Sequence, residues 1–362
     1  MKVDLIIDAQ PIEDAQTPTA DLYRAYSLYE SIAEKIFSTH PFWIGHDSCF
    51  VDDLNLFPIQ VYPGLLDESL LLSRTADFHL LSNVCTHRAA IIQKESCSKR
   101  RIVCPYHGRR WDLEGNFQFM PGFKDAKNFP SECEHLKKLA LNRGNSFLWG
   151  NLKSDDFKSL TANSLLNQYL YFFSFNKLEK AEDFETHYTI NCNWALYCEN
   201  YLEGFHIPFV HPDLNDALSN EFYPVLCDED CILQIGMASD TTDCFELPEG
   251  HPNYGSRVGA YYLYLFPSTM LNFYPWGLSV NQILPQGIDS VIVKYQTYVL
   301  PGAKMDNSAG AGLDKVELED QEVVMRVQKG IGSRFYSRGR YSPEHEKGVY
   351  HFHQLIRKAL SR

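Results

Sequence analysis

The chain has 362 residues, 44% of them hydrophobic and 22% charged, which leaves room for two cores of ordinary size and carries no compositional sign of disorder. A formal net charge of −13 argues against a nucleic-acid binder, because neutralising phosphates takes a concentrated basic surface. No window approaches the roughly 18 apolar residues of a membrane span, and Met1 to Asp8 lack a cationic stretch followed by an apolar run. The ten cysteines therefore read as free thiols or metal ligands of a cytoplasmic protein, with a small molecule or another protein as partner.

In chain order, residues 21–37 place Leu22, Ala25, Leu28, Tyr29, Ile32, Ala33 and Ile36 at helical spacing, with Asp21 available as a cap. From about Phe42 to Leu152 short β-rich runs, among them Phe57 to Val61 and Ser146 to Trp149, are broken by Pro, Gly and Asn, the pattern of a small antiparallel β domain. A polar stretch at Ser154 to Ser159 marks a boundary. Beyond it Tyr261 to Phe266, Thr269 to Tyr274, Leu278 to Leu284 and Val291 to Leu300 predict antiparallel neighbours, while Val316 to Val327 and Pro343 to Leu360 predict helices. The fold class is α+β, in three segments: 1–39 helical, 40–155 all-β and 156–362 α+β. Gly302 to Gly312 reads as a mobile loop and Leu214 to Ser256, acidic and rich in turn formers, as a lid.

Within the β-rich segment, Cys85-Thr-His87 is followed after sixteen residues by Cys104-Pro-Tyr-His107. Two thiolates and two imidazoles suit either one tetrahedral Zn(II) or a diiron cluster, and spacing alone does not choose. About a hundred residues later come Asn200, Glu203, His206 and His211. Two histidines five apart stand about 140° apart around a helix, too far to share a metal easily. Pro208 is expected to break that helix after His206 and let His211 return. Two imidazoles call for a carboxylate to complete an Fe(II) site with positions open for O2. In the later helix Val316, Val323, Val324 and Val327 form an apolar stripe on which Asp320 falls, while Glu319 and Glu322 fall off it. An inward carboxylate is costly unless paired or metal-bound, so Asp320 is the expected third ligand.

With Arg88 after the first His, Gly108 after the second and Trp111 beyond, the first constellation resembles the Rieske ferredoxin motif, in which both cysteines hold one iron and both histidines the other. Asn200, Glu203, His206, His211 and Asp320 in turn resemble the pattern Asn-X2-Asp/Glu-X2-His-X4-His plus a late Glu-Asp pair of the Rieske non-heme iron oxygenase α subunits. With Asn272 to Asn281 the likeness runs over roughly residues 20 to 355. It comes nearest the group that oxidises quaternary ammonium compounds such as choline, betaine or carnitine. Two departures are Ala195, where the family often has Lys, and Glu203, frequently Asp.

The resemblance implies an N-terminal Rieske [2Fe–2S] domain, then a catalytic domain of helix-grip, START-like type on which segment 1–39 packs. It implies mononuclear Fe(II), O2, a small quaternary ammonium or aromatic substrate, and electrons from an NAD(P)H-dependent reductase or ferredoxin. Hydroxylation, dihydroxylation and N-dealkylation are all within the family's range. A head-to-tail homotrimer is implied, with Glu203 bridging His206 to His107 of a neighbouring subunit and Asn200 beside it. The contrasting reading is a non-catalytic Rieske electron carrier or redox sensor. Tyr261, Tyr262, Tyr264, Phe266, Phe273, Tyr274 and Trp276 offer an aromatic cage for an ammonium group, against an ordinary sheet face. Lys99, Arg100, Arg101, Arg109 and Arg110 offer a docking patch for an acidic electron donor. His345, His351 and His353 read as packing or surface residues.

Overall fold

The computed structural model describes residues 3–50, 53–153, 163–211, 223–304 and 313–362, with side chains in the last stretch from Val316 onward. The boundary expected at Ser154 to Ser159, most of the loop expected at Gly302 to Gly312 and the first residues of the expected lid lie outside them. The chain divides into two compact units, Ser38–Ser159 and Met1–Phe37 together with Leu160–Arg362.

The smaller unit carries a six-stranded antiparallel sheet and a three-stranded one. Strands β1 (Phe42–His46), β2 (Leu56–Val61), β3 (Glu68–Arg74) and β4 (Phe78–Ser82) are followed by the short β5 (Ile102–Val103), β6 (Arg110–Trp111) and β7 (Phe117–Phe119). Strands β8 (Lys138–Gly144) and β9 (Phe147–Asn151) return the chain to the larger sheet, giving the order β1-β9-β8-β4-β3-β2, with β5-β6-β7 apart from it. Leu56, Leu71, Leu81, Ile92, Ile102, Trp111 and Leu136 pack into one core around Cys85 and Cys104. The two thiols are thus seated among apolar side chains.

The larger unit is built on an eight-stranded antiparallel sheet: β10 (Glu179–Lys180), β11 (Thr186–Ile190), β12 (Val225–Asp228), β13 (Cys231–Met237), β14 (Val258–Leu265), β15 (Thr269–Tyr274), β16 (Gly277–Gly287) and β17 (Ser290–Val299). Its order is β10-β17-β16-β15-β14-β13-β12, with β11 also pairing β17. Strand residues alternate between faces. On one face Tyr261 and Phe273, cross-strand partners, meet Tyr169, Phe173 and Phe175. On the other, Tyr264 meets Phe352 of the helix Lys347–Leu360, which in turn packs on Trp194 of the helix Trp194–Tyr201.

That helix-covered face is unusually polar for a buried one. Gln234, Tyr262, Asn272 and Ser279 stand in one cross-strand row, with Asn281 and Tyr295 in the row beside it. Gln234 is 1% exposed and Asn272 and Asn281 are 4% exposed.

The N-terminal helix is interrupted: Asp21–Arg24 and Tyr26–Ile32 are separated by Ala25 in an extended conformation, and Ala33–Phe37 closes as a π turn. Apolar residues stay buried on both sides of the break, so the periodicity survives while the helix does not. The segment is tied to its unit by the Tyr23 hydroxyl, which donates to Glu199 at 2.8 Å, by Lys35 Nζ on the Leu360 carbonyl at 2.8 Å and by Phe37 against Trp194.

Gly348, buried near the start of Lys347–Leu360, sets how closely that helix approaches the end of Trp194–Tyr201: a Cβ there would lie 2.5 Å from the Leu202 carbonyl oxygen. Backbone cannot yield as a flexible side chain does. Gly348→Ala is therefore expected to cost about 2 kcal/mol and to lower Tm by roughly 4–8 °C in a thermal melt; an unchanged Tm contradicts this packing.

Candidate functional site

Two loops of the smaller unit bring four donors together. Ala89 N–H donates to the Cys85 carbonyl at 2.9 Å and Gly108 N–H to the Cys104 carbonyl at 3.1 Å, so each cysteine opens a tight turn. Each turn closes on a left-handed residue, Ala89 at φ 54° and Gly108 at φ 70°; glycine takes that conformation freely and alanine at some cost. Cys85 and Cys104 lie together in the apolar core, and burial pushes Cys85 upward from its ordinary value. The rings of His87 and His107 lie 4.9 Å apart, and Tyr106 stacks on His107 at 3.7 Å. Desolvation and the neighbouring His107 hold His87 below its usual value, hence neutral. Its Nδ1 is buried without a hydrogen-bond partner, and a neutral imidazole nitrogen in that state suits a metal.

Arg109 corrects an expectation. It is 1% exposed and so no part of a docking surface. Its guanidinium pairs with Glu134, donates to Thr86 Oγ1 at 3.0 Å and lies over the rings of Phe117 and Phe129. Since Thr86 lies between Cys85 and His87, Arg109 ties the two donor loops together. Lys99, Arg100 and Arg101 are exposed, and Arg110 leans over Phe119.

In the larger unit Asn193 starts the helix Trp194–Tyr201, its side chain accepting from Ala195 N–H at 3.0 Å and donating to the Ile288 carbonyl at 2.7 Å. The helix stops at Tyr201, ahead of Glu203, rather than after His206. Pro208 stands in the first turn of a second short helix, Ile207–Val210, where its missing N–H costs nothing. Glu203 does not share a helical face with His206; its carboxylate accepts from the His206 backbone N–H at 3.0 Å and bonds the ring Nδ1 at 2.7 Å.

From the far end of the chain, Asp320 Oδ1 lies 2.9 Å from His211 Nε2 and 3.4 Å from His206 Nε2. One donor atom from each of the three residues falls within 4.8 Å of the others. The helix Leu313–Ile331 that carries Asp320 keeps part of the expected stripe inward, Val316 on the pocket and Val324 buried. Val327 is 43% exposed, and Asp320 shares its inward face with Glu317, Gln321 and Val324. Glu319, expected to point away, reaches round to bond His211 Nδ1 at 2.8 Å. Each imidazole is therefore oriented from behind by a carboxylate, Glu203 for His206 and Glu319 for His211, the support that fixes a metal ligand's tautomer.

Burial would raise Asp320, but hydrogen bonds from the two histidines hold it below the usual carboxylate range. Burial also opposes charge on His206, yet Asp320 and Glu203 raise that imidazole to about 9. Glu317 goes the other way: burial, then the nearby Asp320, push it up to about 7, while hydroxyl groups of Tyr197 and Tyr295 donate to its carboxyl.

Beside these groups lies a pocket with a cavity of about 90 Å³, which Asn200, Tyr201, Glu203, Tyr223, Gln234 and Glu317 help to line. Of the seven aromatics expected as a cage, only Tyr262 and Tyr274 line it. Tyr261 and Phe273 face the opposite side of the sheet, Tyr264 and Phe266 pack on Phe352, and Trp276 stacks behind Tyr274. Tyr197, Tyr201 and Tyr223 complete the aromatic wall instead.

The described part of the expected lid is not one. Residues 225–237 are strands β12 and β13, and the loop after them is held to the opposite face by His251 Nε2 on the Tyr169 carbonyl at 3.0 Å. His345 stacks on Phe205, His351 bonds the Glu229 carbonyl and His353 bonds Glu199 and Tyr341, all as packing residues.

Residues 175–362 match the family model described as ring hydroxylating alpha subunit (catalytic domain), and residues 49–130 that described as Rieske [2Fe-2S] domain. Choline monooxygenase, chloroplastic, of Arabidopsis thaliana is 27% identical over 369 residues, 97% of this chain and 84% of that protein. The carnitine monooxygenase oxygenase subunit of Escherichia coli (strain K12) is 26% identical over 365 residues, 95% of this chain and 94% of that one. A crystal structure of a quaternary ammonium Rieske monooxygenase in complex with an inhibitor superposes with a TM-score of 0.77 at 20% identity, covering 99% of this chain and 98% of that chain. No helix among the described residues is long and apolar enough to cross a membrane.

Replacing Arg109 by Lys keeps the charge but removes the planar fork that serves Glu134 and Thr86 together. Arg109→Lys is expected to lower the thermal stability of the purified protein and the sulfide it retains, whereas Arg100→Ala leaves both unchanged. Equal behaviour of the two variants contradicts the role given to Arg109.

Proposed function

The chain belongs to the family of ring-hydroxylating oxygenase alpha subunits, with a Rieske [2Fe–2S] domain ahead of a mononuclear-iron catalytic domain, and from that premise we propose what its individual residues do. Cys85 and Cys104 hold one iron of the cluster and His87 and His107 the other; His206, His211 and Asp320 hold the mononuclear iron. The donor chemistry fits both groups: two buried thiols with two imidazoles, one carrying an orphaned nitrogen, and two imidazoles with one carboxylate. When bound, the two centres supply one-electron transfer and reductive activation of O2.

The protein's own task is orientation and exclusion of bulk water. Glu203 and Glu319 keep Nε2 of His206 and His211 turned toward Asp320. Tyr201, Tyr223, Tyr262 and Tyr274 wall the space where a substrate carbon must sit. An NAD(P)H-dependent reductase or ferredoxin supplies the electrons, for which exposed Lys99, Arg100 and Arg101 are the proposed contact. Glu203 joins His206 to His107 of a neighbouring subunit in a head-to-tail homotrimer, with Asn200, near the end of the helix Trp194–Tyr201, lining the same pocket.

The substrate is a small organic molecule. The relatives named for choline and carnitine, together with the aromatic wall, favour a small organic cation over an arene. One observation carries the oxygenase reading over an electron carrier: the three convergent donors open onto a pocket walled by tyrosines and polar side chains. It is tested by NAD(P)H-dependent O2 uptake with a surrogate reductase across small ammonium and aromatic compounds. Uptake coupled to product formation is expected; a cluster that is reduced normally while no compound raises uptake favours the carrier.

Glu203→Gln is expected to keep the cluster and bound iron but to slow cluster oxidation in a single turnover by roughly 10–100-fold, the loss typical of removing a carboxylate that supports a ligating histidine. Oxidation at the wild-type rate contradicts the bridge.

A further inference from the structure

The pocket holds more hydrogen-bond acceptors than iron binding uses. Gln234 lines it at 1% exposure, and its Nε2 donates to the Tyr201 carbonyl at 2.7 Å. That bond fixes which way the amide points, because a carbonyl oxygen accepts only from the NH2 end. Gln234 Oε1 is therefore the remaining end, and it is buried with no hydrogen-bond partner. An acceptor in that state costs free energy until a donor reaches it.

Glu317 is a second, independent observation. Its carboxyl lines the same pocket one helical turn before Asp320, with the hydroxyl of Tyr197 on Oε2 at 2.5 Å and that of Tyr295 on the same oxygen. No Lys or Arg lines the pocket among the described residues. Glu317 is half-buried, and the nearby imidazoles of His206 and His211 are already answered by Asp320, Glu203 and Glu319, so its carboxylate is left to take its counter-charge from a ligand. The ring walls of Tyr201, Tyr262 and Tyr274 suit a cation as well.

The two features together discriminate among ligands. An arene meets neither requirement. A quaternary ammonium answers the charge of Glu317 but has no N–H for Gln234. A protonated primary or secondary amine answers both. We propose that this pocket selects a cationic amine bearing at least one N–H, with Gln234 Oε1 accepting that N–H and Glu317 as the counter-charge. This rests on the oxygenase reading of the site and narrows its substrate class.

The test uses the iron- and cluster-loaded protein under anaerobic conditions, with butylammonium, butyltrimethylammonium and 1-butanol as probes in calorimetry at one pH and salt concentration. Butylammonium is expected to bind at least about tenfold more tightly than either of the others, the scale of one charge-assisted hydrogen bond. Gln234→Met is expected to narrow the gap between butylammonium and butyltrimethylammonium, and Glu317→Gln the gap between butylammonium and 1-butanol, with iron and sulfide content unchanged. Butyltrimethylammonium binding as tightly as butylammonium to the wild type overturns the proposal, and so does an unchanged gap in either variant. Should a variant lose its metal, the wild-type series alone decides. Coupled O2 uptake with quaternary or aromatic compounds, when butylammonium has no binding advantage, sinks this proposal and leaves the oxygenase reading standing. Absence of uptake with every compound, when butylammonium is selectively bound, sinks the oxygenase reading instead.

Discussion

A single carboxylate oxygen, Asp320 Oδ1, lies between the Nε2 atoms of His206 and His211, at 3.4 Å and 2.9 Å. Burying such a charge is tolerable only with partners of opposite charge or a metal, and meeting that demand constrains everything around it. The helix Leu313–Ile331 must turn an acidic face inward. The segment from Trp194 to Val210 must break between Tyr201 and Ile207 so that two histidines five apart converge. Asn193 N–H donating to Gln328 Oε1 at 2.8 Å joins those two elements directly, so the positions of the histidines and the aspartate are set together. Close approach of the next helix at Gly348 fixes the chain just before Glu203.

The smaller unit meets a related demand by different means. Its thiols sit in an apolar core, where a free thiolate would be strongly disfavoured, and its two donor loops are separate turns that must be held together. Arg109 spans them, its charge answered by Glu134 and its plane by aromatic rings. Buried arginines of this kind specify geometry because the guanidinium fork accepts few arrangements.

Much of this was legible in the sequence. Cys85, His87, Cys104 and His107 stand in two short matched pairs, and short-range spacing is what local turns are built on. The four long strands were visible because runs rich in β-branched and aromatic residues, bounded by Pro and Gly, leave little choice. Asp320 was reached through an apolar stripe that holds only in part: Val316 lines the pocket and Val324 is buried, but Val327 is exposed and Glu317 and Gln321 take inward positions instead. A helix lined inward by acids cannot be phased by hydrophobicity, since its charged residues serve the site. Glu319 and Glu317 were missed for that reason. The polar side chains of Gln234, Asn272 and Asn281 on otherwise apolar strands were the signal available for the pocket, because polar residues at covered strand positions need a partner. Arg109 read as a surface charge because sequence does not show which of two adjacent arginines points inward; Glu134 and Thr86, its partners inside, decide it.

The central claim is that two separate iron-binding sites are built from the seven named ligands. Diffraction from crystals of the iron-loaded protein, recorded at the iron absorption edge, tests it most directly. The account predicts two anomalous peaks enclosed by Cys85, His87, Cys104 and His107, and a third bounded by His206, His211 and Asp320 with Glu203 and Glu319 behind the imidazoles. A protein with full iron content whose third peak lies elsewhere, or that shows no third peak, would contradict it.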